Sequence, residues 1–161
     1  MKYKPLPVGI DRFDELILGG YYYVDKTWFI KELLDLKGKV NLFTRPRRFG
    51  KTLNISMLQY YFENTGENEW NERNRSLFQG MKIMEADDTY LAKMNAFPVI
   101  NLSLKSGKQP SYELAFGCLR EEIAREYKRH ISILDSGKLE LERDKYMRIA
   151  KEEGSEQEYA T

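Results

Sequence analysis

A change of period in the middle of the chain narrows the possible folds most. Lys39–Thr44 (KVNLFT) is a short β-prone run and Arg45–Gly50 is a tight cationic loop; from Lys51 to about Glu63, Leu53, Met57, Leu58, Tyr61 and Phe62 recur at helical spacing. Strand, tight loop and amphipathic helix in that order is the context of a phosphate-binding loop. Backbone amides of residues 48–52 would converge on one point, and the helix dipole favours an anion there. Lys51 would reach terminal phosphate oxygens, and the Thr52 hydroxyl would ligate magnesium. Gly50 lets the backbone approach the phosphates closely. Arg45, Arg47, Arg48 and Lys51 put four cations into seven residues. The glycine that usually opens such a loop is replaced by Arg45, so a basic helix-start turn that binds no nucleotide is the competing reading.

The flanking sequence extends the pattern. Asp11 can cap a short helix carrying Phe13, Leu16 and Ile17, which Gly19-Gly20 ends. Tyr21–Val24 reads as a short strand. Asp25 or Thr27 caps a second helix with Phe29, Ile30, Leu33 and Leu34, and Gly38 sits at its stop. Residues 64–95 read as short helices and loops anchored by Trp70, Leu77, Phe78 and Ile83. Phe97–Leu104 begins at Pro98 and alternates, as a strand does, and would neighbour the Lys39–Thr44 strand. Ser111 caps a long helix to about Arg129, with Leu114, Cys118, Leu119, Ile123 and Tyr127 on one face, and a charged helix follows from about Leu139 to Lys151. Strands separated by helices predict an α/β fold, P-loop NTPase-like, with a parallel sheet and flanking helices.

Composition bounds the class. The chain has 161 residues, 42% hydrophobic and 32% charged, enough for one packed domain and too apolar for disorder. One cysteine and one histidine exclude a disulfide scaffold and a structural zinc site and point to a cytoplasmic setting. No run approaches a membrane span. Residues 1–60 carry 11 basic and 6 acidic side chains (+5) and residues 61–161 carry 15 and 19 (−4), which places any anion site in the first third. With a net charge of +1, general nucleic-acid binding is disfavoured. His130 reads as a solvated cation at a helix carboxyl end, and Cys118 as a small buried residue.

Three blocks carry a resemblance: Leu6-Pro7-Val8-Gly9-Ile10 with Phe13, then Tyr22-Tyr23-Val24-Asp25-Lys26-Thr27, then Phe43-Thr44-Arg45-Pro46-Arg47-Arg48-Phe49-Gly50-Lys51-Thr52. It continues through Phe97-Pro98-Val99-Ile100 and the helix after Ser111. On these the chain resembles the AAA-ATPase-like proteins of bacteria and archaea, whose P-loop module often precedes a PD-(D/E)XK-nuclease-like domain. The resemblance makes the missing first glycine a family trait. It implies ATP and Mg2+ as cofactors, with Arg47, Arg48, Phe49, Gly50, Lys51 and Thr52 around the phosphates, Thr52 on the metal, and Tyr23 and Asp25 walling the adenine. Asp25 as a plain helix cap is the alternative.

The family also carries a later apolar strand ending in acidic residues, to hold magnesium and polarise water. Ile131–Asp135 is the nearest string here and reads as a turn; Glu85, Asp87 and Asp88 read as a solvated loop. Ser155-Glu156-Gln157-Glu158 has the form of a capping box, which writes a helix start six residues before the last residue. Both features lead to the expectation that residues 1–161 are the N-terminal part of the ATPase module, binding nucleotide with little or no hydrolysis and prone to self-association. An interaction module whose arginine loop contacts nucleic acid or an acidic partner is the second reading.

Overall fold

The computed structural model describes residues 3–44, 46 and 48–160. Among these residues eight α-helices run in chain order: α1 Phe13–Leu18, α2 Trp28–Leu36, α3 Lys51–Phe62, α4 Asn68–Ser76, α5 Asp88–Leu91, α6 Tyr112–Arg129, α7 Arg143–Ala150 and α8 Glu156–Ala160, with short 3-10 turns between them. The chain divides into two compact units, Met1–Val99 and Ile100–Thr161.

The expected parallel sheet is absent among the described residues, which corrects the α/β assignment: the protein is helical, and an isolated β-bridge joins Glu63 to Phe97. A strand exists only where a second backbone answers its hydrogen bonds. Residues 39–40 bend and 41–44 form no regular element, and Val40 and Leu42 stand 88% and 86% exposed. Phe43 packs edge-on against Phe29 of α2 at 5.0 Å instead of entering a sheet. Residues 21–24 alternate between half-buried and exposed as a strand would, yet their backbone bonds run from Tyr22 N to Pro5 O (2.9 Å) and from Tyr21 N back to Leu16 O (3.2 Å), which makes no ladder among the described residues. Residues 97–104 meet another backbone at their start, where Phe97 N donates to Phe62 O (3.0 Å) and Asn64 N to Phe97 O (2.7 Å); further on, Asn101 N donates to a side chain, Glu126 Oε2, at 3.0 Å. Beyond the bridge, residues 104–107 coil into a 3-10 turn.

The first unit is built on α3. The side chains of Met57 and Tyr61, one helical turn apart, are fully buried with Phe13 of α1, Ile30 of α2, and Phe78 and Ile83 from the segment after α4. The Phe78 ring lies 5.1 Å from Phe13 and 5.3 Å, edge-on, from Tyr61. Each such side chain contributes about 1.5–3 kcal/mol by leaving water. Tyr61 also donates to Tyr90 O at 3.0 Å, and its burial raises the phenol pKa to about 12. Trp70, expected among the anchors, is 47% exposed and lies under the Arg73 guanidinium instead.

Helix ends follow local chemistry. Gly20 takes the left-handed backbone after α1, but the α1 cap position is Arg12 rather than Asp11. At the end of α2 the left-handed residue is Lys37 (φ 49°), one before Gly38.

In the second unit Ser111 caps α6 by accepting from Leu114 N at 3.3 Å. Ala124 of α6 and Ile149 and Ala150 of α7 are buried, and Tyr127 and Tyr146 meet with ring centroids 4.6 Å apart. Leu114, expected on the buried face of α6, is 56% exposed. Ile131–Ser136 is a 3-10 turn, as its sequence predicts. The capping box forms: Ser155 Oγ accepts from Glu158 N at 3.3 Å while Ser155 N donates to Glu158 Oε2 at 2.9 Å. Arg148 grips the same carboxylate, and these bonds lower its pKa to about 2.

Candidate functional site

The loop after residue 44 ends in a helix start led by glycine. Gly50 is the cap residue of α3, in the left-handed region at φ 71°, ψ 21°, and no side chain bonds to the first-turn amides from that position. The first intrahelical bond runs from Asn54 N to Gly50 O at 2.9 Å. A Cβ at Gly50 would meet nothing within 4 Å, so glycine is demanded by backbone angle and not by crowding.

Arg48 is also left-handed, at φ 67°, a conformation that costs a non-glycine residue about 1–2 kcal/mol. The side chains of Arg48, Phe49, Lys51 and Thr52 are exposed, Phe49 by 62%. Arg45 and Arg47, the other cations of this loop, lie outside the described residues. Exposed cationic side chains thus stand beside a helix amino end whose dipole and first-turn amides favour an anion.

A model of the family described as "Predicted AAA-ATPase" matches residues 7–158. The chain belongs to the AAA-ATPase-like family. An Azotobacter chroococcum mcd 1 protein, "Uncharacterized protein in vnfD 5'region", is 34% identical over 108 residues, which are 66% of this chain and 18% of that protein. The chain therefore spans less than a fifth of that relative's length. No solved structure matches it.

In this AAA-ATPase-like chain Tyr23 and Asp25 are engaged in internal contacts. The Tyr23 ring packs edge-on against Phe13 at 5.7 Å; its hydroxyl donates to Met57 Sδ at 3.5 Å and accepts from Lys26 N at 3.3 Å. Burial raises its pKa. Asp25 Oδ1 accepts from Thr27 N (2.8 Å) and Thr27 Oγ1 (2.7 Å), and Oδ2 accepts from Lys82 N (2.8 Å). Partial burial pushes the Asp25 carboxyl up, but the bonds from Lys82 and Thr27 outweigh it and hold the pKa below its ordinary value. The fully buried Thr27 hydroxyl accepts in turn from Ile83 N at 3.1 Å. The Tyr-Val-Asp-Lys-Thr block thereby ties the start of α2 to the turn at 82–85 and rests on α3 through Met57.

A polar cluster that no motif in the sequence marks lies on the same helix. Ser56 Oγ accepts from Phe13 N at 3.0 Å. Asp14, nearly buried, receives Arg12 at two points, Nε to Oδ1 (3.1 Å) and Nη2 to Oδ2 (2.8 Å), and Arg12 Nη2 also donates to Tyr60 at 3.0 Å. Arg73 of α4 stands 3.7 Å from Asp14 Oδ2. The signal in the sequence was the spacing of three hydroxyls, Thr52, Ser56 and Tyr60, four apart on α3.

No three His, Cys, Asp or Glu residues cluster as a metal site among the described residues, and no helix among them is long and apolar enough to cross a membrane.

Proposed function

We propose that the amino end of α3 and the loop before it bind a nucleoside triphosphate, ATP, with magnesium. The observation that carries this reading is the glycine-led helix start with Lys51 and Thr52 exposed on its first turn; membership of the AAA-ATPase-like family supports it. The residues fit the group: space is open at Gly50, the first-turn amides suit phosphate oxygens, and a hydroxyl stands at the second helical position. Lys51, Arg48 and Arg47 neutralise phosphate charge, and Thr52 offers a magnesium ligand. Bound magnesium would screen the phosphates from one another. Tyr23 and Asp25 enter only as walls at the adenine end, because their polar atoms are engaged within the chain. The reading is of binding and assigns hydrolysis to none of these residues.

Nucleotide titration with and without magnesium tests it. Thr52→Ala is expected to abolish the gain in affinity that magnesium brings to the wild type while leaving weak metal-free binding. Equal magnesium dependence in both proteins removes Thr52 from the site.

A second reading draws on the exposed Phe49 ring beside Arg48: an aromatic among cations suits single-stranded nucleic acid, where stacking adds to charge. Salt-sensitive DNA binding without any response to nucleotide would favour it.

A further inference from the structure

Thr52, Ser56 and Tyr60 are spaced four apart on α3, so each lies within about 40° of the one before it on the helix surface. The hydroxyls of Ser56 and Tyr60 are both taken by the start of α1: Phe13 N bonds to Ser56, and Arg12, gripped by Asp14, bonds to Tyr60. The stripe that begins at Thr52 is thus the stripe on which α1 is anchored. Asp14 is 5% exposed and has Arg73 of α4 at 3.7 Å, so the cluster joins three helices through one carboxylate.

Apolar side chains of similar volume would hold three helices about as firmly, because burying the Asp14 carboxylate offsets much of its attraction to Arg12, whose side chain stays 63% exposed. A directional cluster does what grease does not: it admits one register of α1 and α4 on α3. We infer that Arg12 and Asp14 are positioning residues for α3, setting the helix that carries Lys51 and Thr52 so that its first turn is held in one place. The inference rests on the nucleotide-binding reading for its functional consequence, and on the hydrogen-bond geometry alone for its conformational one.

The test compares Asp14→Asn, Tyr60→Phe and Lys51→Ala with the wild type in two measurements, amide hydrogen exchange and magnesium-ATP titration. Tyr60→Phe removes one hydroxyl and keeps the ring, so it carries the test where Asp14→Asn does not fold. The expected result is faster exchange at residues 53–56 of α3 while the Tyr61 amide stays as protected as in the wild type, with nucleotide affinity weakened about three- to tenfold. Lys51→Ala should lose nucleotide and keep wild-type exchange. Exchange that rises in equal measure across the whole first unit, or unchanged exchange in a folded variant, shows ordinary stabilisation and overturns the inference. A wild type that fails to bind nucleotide defeats the nucleotide reading, while the exchange comparison still decides the positioning role.

Discussion

The backbone amide of Phe13 donates to the hydroxyl of Ser56 over 3.0 Å, so the first free amide of α1 is answered by a side chain of α3 instead of by a cap from its own sequence. Phe13 is fully buried, and water cannot replace the lost partner easily. Ser56→Ala is expected to cost about 1–3 kcal/mol, the penalty for an unanswered buried donor. Urea denaturation of the two proteins, with unchanged slope and a lower midpoint for the variant, checks it.

Thr27 offers a sharper comparison. Its buried hydroxyl both donates to Asp25 and accepts from Ile83 N. Thr27→Val keeps the shape and removes both bonds, so a loss of about 1–3 kcal/mol is expected. Thr27→Ser keeps the hydroxyl and gives up one methyl, costing about 1 kcal/mol. If valine is the milder substitution, the hydroxyl does not hold the 82–85 turn.

Asp14 and Asp25 set the acid limit of the first unit. Burial pushes both carboxyls up, but the bonds from Arg12 to Asp14 and from Lys82 and Thr27 to Asp25 prevail, and both folded pKa values lie below the ordinary 3.8. A depressed folded pKa contributes stability that is complete above the unfolded value and is lost as pH falls through the folded one. Stability should therefore hold down to about pH 5 and fall steadily below about pH 4. In Asp14→Asn, already less stable at neutral pH, that fall should be shallower. A parallel fall in both proteins would remove Asp14 from the titration.

Gly50 is expected to resist substitution for a reason confined to its backbone. A Cβ meets no neighbour, yet φ is 71°, so Gly50→Ala should cost about 1–2 kcal/mol while Gly50→Asn, which tolerates the left-handed region, costs less. Thermal melts of the two variants separate this from crowding, under which the larger asparagine would be worse.

The helices were legible because their signals are local. Met57 and Tyr61 one turn apart on α3, Ser111 three residues before Leu114, and Ser155 three before Glu158 each write an element within a few residues, and each forms. The strands were not legible as failures, because β-propensity in Val40, Leu42 and Phe43 says nothing about whether a second backbone answers. Of the site, the helix start at Lys51 followed from the sequence. The Arg12 to Tyr60 bond spans 48 positions, and no periodicity points across such a distance.

Phosphate binding at the Lys51 end of α3 is decided by isothermal calorimetry with magnesium-ATP against wild type and Lys51→Ala. A one-site binding heat is expected for the wild type, and it should disappear in a Lys51→Ala protein with the same circular dichroism and melting temperature. A folded wild type that gives no heat, or a Lys51→Ala protein that binds as tightly as the wild type, contradicts it.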